Sequence, residues 1–193
     1  GLGDVYKRQD SHQRCMVAEV MGRHVGWIAL HAGMAAGAHA ICIPEVPMSI
    51  DDITALVSSA HDRGRAPLVV VSEGFKLLGM DEAYSDKGLD AFNRPRLGGI
   101  GDQLAPAIER ITGIETRATI LGHIQRGGSP SAFDRVLATR LGLHAADAIV
   151  EKAWGQMVAM QGTDIVRVPF AEALGELNTV PRSRYDEAAA LFG

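Results

Sequence analysis

The chain has 193 residues, with 19 Lys and Arg against 23 Asp and Glu, a formal net charge of −4 and a pI near 6.0. At 47% hydrophobic and 22% charged residues it has the composition of a folded domain with its own core, which excludes a disordered chain. The acidic balance argues against nucleic acid or an anionic membrane as partner, and no apolar run is long enough to predict a membrane span.

In chain order, residues 1–10 come first ("GLGDVYKRQD"). Most of this stretch is polar and aperiodic, so it reads as a non-conforming lead-in without signal-peptide character. Strand-like runs follow at Cys15 to Val20, Ala38 to Ile43, Leu68 to Ser72, Thr116 to Leu121 and Met157 to Met160, with Asp164 to Val168 a weaker sixth. Helical patterns lie between them at about Val25 to Ala36, Ile50 to Arg63, Gly101 to Thr112 and Ser131 to Lys152.

Runs such as "LVVVS" are continuously apolar, as strands buried on both faces must be. Strand alternating with helix predicts βαβ units. The fold class expected is therefore α/β, a doubly wound, Rossmann-like parallel sheet flanked by helices, in one domain over residues 11–193. Ser49 before Asp51 and Asp52 predicts a helix start, Ser129-Pro130 another, and Gly64 and Gly113 mark helix ends. The stretch Gly74 to Gly99 is weakly periodic and is expected to be a long, lid-like surface excursion. Trp154, Met157 and Met160 are expected in the core, and His24, Trp27 and His31 in core or interface. Cys15 and Cys42 sit in apolar runs as reduced thiols of a cytoplasmic protein, and no zinc-type spacing occurs.

Ligands of open parallel sheets bind outside the carboxyl ends of the strands. The first strand ends in Met21-Gly22-Arg23 and the third in Glu73-Gly74. The fourth ends in Gly122-His123, with Arg126 just beyond. Arg126 can hold a phosphate through parallel donors and His123 can add another. Gly127-Gly128 and the helix start behind them offer backbone N–H groups. Glu73, an acceptor when ionised, suits sugar hydroxyls. The pattern points to a phosphorylated polyhydroxy ligand. Arg14 and Arg117 fall at the amino ends of strands one and four, so if they act, they act on a neighbouring subunit's ligand. Strand two ends in Pro44-Glu45, for which a structural role serves equally well.

Three segments, "SHQRCMVAEVMGRHVGWIAL" at 11–30, "SEGF" at 72–75 and "TRATILGHIQRGGSPSAFDR" at 116–135, closely resemble the carboxyl-terminal half of bacterial 6-phosphofructokinases. The resemblance runs from about Ser11 to the end of the chain. It implies the glycolytic phosphorylation of fructose 6-phosphate at its 1-hydroxyl, with Mg2+ and ATP or pyrophosphate as donor, in a cytoplasmic homotetramer. It implies that His123 and Arg126 hold the 6-phosphate and that Arg14 and Arg117 reach it from an adjacent protomer. Met21 and Gly22 (through backbone) and Glu73 would hold the sugar, and Arg23 would act catalytically on the transferred phosphoryl group.

The sequence departs from the family in two ways. The glycine loop for the nucleotide and the Thr-Ile-Asp-Asn-Asp segment with the catalytic aspartate belong to the family's amino-terminal half, and neither pattern occurs here. The expectation is thus a fragment, inactive alone, whose donor is unread. The alternatives are a pyrophosphate-dependent enzyme or, if the chain is complete, a non-catalytic sugar-phosphate-binding module. The second departure is His39, standing where the family's effector site has a glutamate; Arg63 and Arg65 stand where that site has lysines.

Overall fold

Strands that are apolar without alternation need cover on both faces, and the architecture supplies it. The computed structural model describes residues 13–79 and 99–192. Strands β1 (Cys15–Val20), β2 (Ala40–Cys42), β3 (Leu68–Ser72) and β4 (Thr116–Ile120) form one parallel sheet in the order β2-β3-β1-β4. Helices α1 (Trp27–Ala36), α2 (Ile50–Asp62) and α3 (Ile100–Thr112) connect them. Successive residues of β3 face opposite layers. Val69 and Val71 belong to a core with Ile53 and Val57 of α2 and Leu104 and Ile108 of α3. Leu68 and Val70 belong to another with Ala29 and Leu30 of α1. Helices on both faces of a parallel sheet make the doubly wound fold the sequence predicts.

The chain forms two compact units, residues 1–126 with 179–193, and residues 127–178. The sheet lies in the first. The second holds α4 (Ala132–Val150), strands β5 (Gln156–Gln161) and β6 (Asp164–Pro169), and the single-turn α5 (Phe170–Ala173). Only Gly162 and Thr163 separate β5 from β6. Parallel pairing needs a crossover of a dozen residues or more, so these two form an antiparallel ribbon of their own.

Several local expectations are corrected. Helix α4 is capped by Ser131, not Ser129. Ser131 Oγ accepts from the Asp134 N–H at 3.2 Å, and the Asp134 carboxylate accepts from the Ser131 N–H at 2.8 Å, a reciprocal box that Ser129 is too early to form. Ser49 and Asp52 make the same box on α2, as expected. Trp154, Met157 and Met160 are exposed rather than core, since no residue of the second unit is buried. His24 and His31 are exposed as well, with the half-buried Trp27 ring 5.5 Å from that of His31.

The expected surface excursion begins as core. Phe75 and Leu77 are buried, and Leu77 bridges Met48, with the Leu78 N–H donating to the Met48 carbonyl at 2.9 Å. Residues 80–98 of that stretch and the lead-in lie outside the described residues. A sixth helix, α6 (Arg182–Ala189), gives little sequence signal, because only Tyr185 and Ala188 are buried. It docks through the Tyr185 hydroxyl, which donates to the Ile41 carbonyl at 2.9 Å.

Candidate functional site

The carboxyl edge of the sheet gathers most of the residues singled out by sequence. Met21, Gly22 and Arg23 follow β1, Glu73 follows β3, and a 3₁₀ turn, Gly122–Arg126, follows β4. The Met21 N–H donates to Gln125 Oε1 at 2.7 Å, and the Gly22 N–H points at Glu73 Oε1 at 3.4 Å. These contacts tie the ends of three adjacent strands into one rim. With strands about 4.8 Å apart, the rim from β3 to β4 is roughly 10 Å wide, the scale of a small phosphorylated sugar.

Two glycines make this rim buildable. Gly22 has φ +144°, and a Cβ there would lie 2.7 Å from the Val25 carbonyl oxygen and 2.9 Å from Ser72 Oγ. Gly74 donates its N–H to the Gly22 carbonyl at 3.0 Å, and a Cβ on it would stand 1.9 Å from the Arg23 carbonyl oxygen. The exposed His123 and Arg126 side chains sit on the turn that Gln125 pins. Sequence reasoning passed over Gln125, although it stands between the two basic residues it positions. Gly127 and Gly128 belong to the second unit.

Arg14 and Arg117 lie at the other edge. Arg117 pairs with Met16 in the β1–β4 register, so six residues of strand, roughly 20 Å, separate them from the rim. Glu115 holds both. Its Oε2 is 2.6 Å from Arg14 Nε and its Oε1 is 2.7 Å from an Arg117 terminal nitrogen. The hydrogen bond from Arg117, supported by that from Arg14, holds the Glu115 carboxyl below its usual range. Arg14 also lines an open cavity of about 430 Å3 with His61, Asp62 and the end of α3. The structure therefore separates this arginine pair from the rim, as their strand positions require.

Among the remaining residues of interest, His39 and Glu45 hold backbone groups of other elements. His39 is buried, and its ring Nδ1 accepts from the Leu68 N–H at 3.1 Å while its backbone N–H donates to the Leu68 carbonyl at 2.8 Å. Burial lowers its pKa, and Arg65 and Arg63 lower it further. Arg63 and Arg65 themselves are exposed. Glu45 Oε1 accepts from the N–H groups of Gly26 and Val180, both at 3.0 Å.

Glu19 was missed. It is 2% exposed in mid-strand, and its carboxylate accepts from Gly99 at 3.0 and 3.1 Å and from Gly101 at 2.8 Å, fixing the start of α3. Its sequence setting, "VAEVMG", shows only a carboxylate interrupting an apolar run. Among the described residues, no group of three or more His, Cys, Asp or Glu side chains is arranged to hold a metal ion. No helix among them is long and apolar enough to cross a membrane.

Residues 2–149 match the family model described as Phosphofructokinase. The chain is 53% identical over 184 residues to a pyrophosphate–fructose 6-phosphate 1-phosphotransferase of Amycolatopsis methanolica, covering 95% of this chain and 54% of that one. It is 49% identical over 190 residues to an ATP-dependent 6-phosphofructokinase of Mycobacterium bovis, covering 98% and 55%. It thus spans about half the length of the curated relatives it matches. Among solved structures, phosphofructokinase from Saccharomyces cerevisiae superposes with a TM-score of 0.71 at 32% identity, covering 99% of this chain and 24% of that one. A pyrophosphate-dependent phosphofructokinase from Nitrosospira multiformis superposes at 0.72 with 20% identity, covering 99% and 51%, which speaks to the fold alone.

Proposed function

The chain belongs to the phosphofructokinase family, and on that premise we propose that its carboxyl sheet edge is the fructose 6-phosphate half of a site that transfers a phosphoryl group to the sugar's 1-hydroxyl. One observation carries the reading. The hydrogen bonds from Met21 and Gly22 to Gln125 and Glu73 draw a sugar-type acceptor and a phosphate-type cation pair onto one rim. In this reading Arg126 and His123 hold the 6-phosphate. Glu73 and the backbone at Met21 and Gly22 hold the ring hydroxyls. Arg23 faces the phosphoryl group passed to the 1-hydroxyl, where a fixed guanidinium offsets developing charge.

The activity belongs to the whole protein, with ATP or pyrophosphate as donor. Magnesium enters as part of the donor complex. Arg14 and Arg117, remote from their own rim, serve a neighbouring copy in a homo-oligomer, a tetramer by analogy with the family. Arg63 and Arg65 stand as anion contacts of an effector site in which His39 takes no part, its ring being committed to β3. The protein acts in the cytoplasm, as a glycolytic enzyme does.

Arg126→Ala tests the reading. Calorimetric titration of the 193-residue chain with fructose 6-phosphate is expected to show affinity reduced roughly tenfold or more, the worth of a charge-assisted pair on a phosphate. Affinity unchanged by the substitution, or no binding by the unsubstituted chain, overturns it. Assaying the whole protein with each donor in turn assigns the donor.

A further inference from the structure

Side chains of a strand alternate between its faces, so residues two apart on one strand stand on the same face, with the register partner beside them. Glu115, just before β4, and Arg117 are such a pair. Cys15 pairs with Thr116 in the parallel register, which sets Arg14 beside Glu115 one step earlier, and the Cys15 N–H donates to the Glu115 carbonyl at 2.9 Å. Thr116, between the two charged residues, is buried, and its hydroxyl donates to the Ile114 carbonyl at 2.8 Å. Register alone therefore brings three charged side chains together at the amino end of β4. Among the described residues, β4 is an edge strand of its sheet, where another chain has access.

Arg14 donates through Nε to Glu115 Oε2 at 2.6 Å, and Arg117 through Nε and Nη2 to Glu115 Oε1 at 3.2 and 2.7 Å. One carboxylate thus takes the Nε side of both guanidiniums. Each fork has a second, end-on edge formed by its terminal nitrogens, and that edge suits the parallel bonds of a phosphate. The Arg14 side chain is 38% exposed and that of Arg117 65%, so both forks are reachable from outside. Charge alone does not make this an anion site, since Glu115 offsets one guanidinium and Asp62 and His61 line the same cavity as Arg14. Aim is what the arrangement adds. Two like charges on long side chains repel each other, and ordering them on a ligand costs rotamer entropy. A carboxylate between them offsets the repulsion and holds both rotamers before the ligand arrives. The bond from Arg117, with that from Arg14, keeps the Glu115 carboxyl below its usual range, so this strut is ionised at neutral pH.

We propose that Glu115 is a positioning residue for phosphate recognition across a subunit boundary: it fixes Arg14 and Arg117 as a paired fork whose end-on edges grip the 6-phosphate held by a neighbouring copy. This role rests on the reading that the two arginines serve a neighbour's fructose 6-phosphate, and it names what aligns them. Glu115 itself touches no substrate. A carboxylate that stood in for the phosphate, and had to be displaced by it, would predict the opposite sign, because its removal would tighten binding. Contact on the Nε sides, with the end-on edges left to the ligand, favours alignment over competition.

The test is steady-state kinetics of the whole protein, with size-exclusion chromatography of every variant. Glu115→Ala is expected to raise the KM for fructose 6-phosphate about three- to tenfold, the worth of aligned charge-assisted hydrogen bonds. It should leave kcat and the donor KM within about twofold and the oligomer size unchanged. Glu115→Gln, which keeps an acceptor oxygen for the arginines, should recover most of the loss. In a protein already carrying Arg14→Ala and Arg117→Ala, Glu115→Ala should raise the KM no further, because its effect passes through those side chains. A KM lowered or unchanged by Glu115→Ala overturns the role, and so does an undiminished effect in the doubly substituted background. A parallel loss in kcat and both KM values, or a dissociated oligomer, marks a merely structural residue and overturns it too. The arginine variants keep the two failures apart. If Arg14→Ala and Arg117→Ala raise the KM and Glu115→Ala does not, the positioning role alone falls. If neither arginine variant changes it, the neighbouring-subunit reading falls with it.

Discussion

At the scale of single residues, the informative groups are those whose hydrogen bonds dictate a protonation state. His39 can accept from the Leu68 N–H only through an unprotonated Nδ1, and burial with Arg65 and Arg63 nearby lowers its pKa from 6.5. The unfolded chain takes up a proton near 6.5 while the folded chain resists it. The unfolded state therefore binds more protons below that pH, and stability falls as pH drops through that window. Urea unfolding at pH 7 and pH 5 checks this. His39→Gln, which keeps an acceptor but cannot titrate, should lose less stability over the interval than the unsubstituted chain. Equal losses would remove His39 as the cause, because every other titrating group is common to both proteins. A histidine placed by sequence at an effector position thus acts as a fastening between α1's exit and β3.

At the scale of elements, legibility followed periodicity. Strands β1 and β3 were readable to the residue because four consecutive apolar residues in each, Cys15 to Ala18 and Leu68 to Val71, call for a strand covered on both faces. The α4 cap was misplaced by two residues because Pro130 is a conspicuous helix-start signal, while the deciding feature is the three-residue spacing from Ser131 to Asp134. The site was legible as motifs at strand ends but not as geometry: Gln125 and Glu19 act on backbone N–H groups of other elements, and no local pattern announces such partners.

Glu19 allows a quantitative statement about α3. That helix lacks a side-chain cap of its own, its N-cap being Gly99, and the β1 carboxylate takes over the N–H groups of Gly99 and Gly101. Glu19→Ala leaves both donors unsatisfied in a buried site and should cost about 2–4 kcal/mol in chemical denaturation. Glu19→Gln, which keeps one acceptor oxygen, should cost less. A loss below about 1 kcal/mol for the alanine variant would show that α3 does not depend on this anchor.

At the scale of the whole molecule, the two units differ in what holds them. Among the described residues, the sheet unit has thirty hydrophobic residues in its core, including every residue of β2 and four of the five in β3. The second unit has none buried. Phe133, Val136, Leu143, Ile149 and Trp154 are each at least 60% exposed, and its strands form a two-stranded ribbon, an arrangement of marginal stability in water. Apolar burial is the main favourable term in folding, so a unit without it opens at a free energy well below that of global unfolding. Native-state hydrogen exchange on the 193-residue chain should therefore show amides of α4, β5 and β6 opening at least ~2 kcal/mol below those of β1 and β3, with β1 and β3 tracking global unfolding in denaturant. Uniform protection across both units would mean that the second is held by interactions other than burial within itself. A graded result would also locate the sugar-phosphate rim on the stable side of the boundary, since Glu73, Gln125 and Arg126 all precede residue 127. Its cations would then stay ordered while the helix beyond them frays.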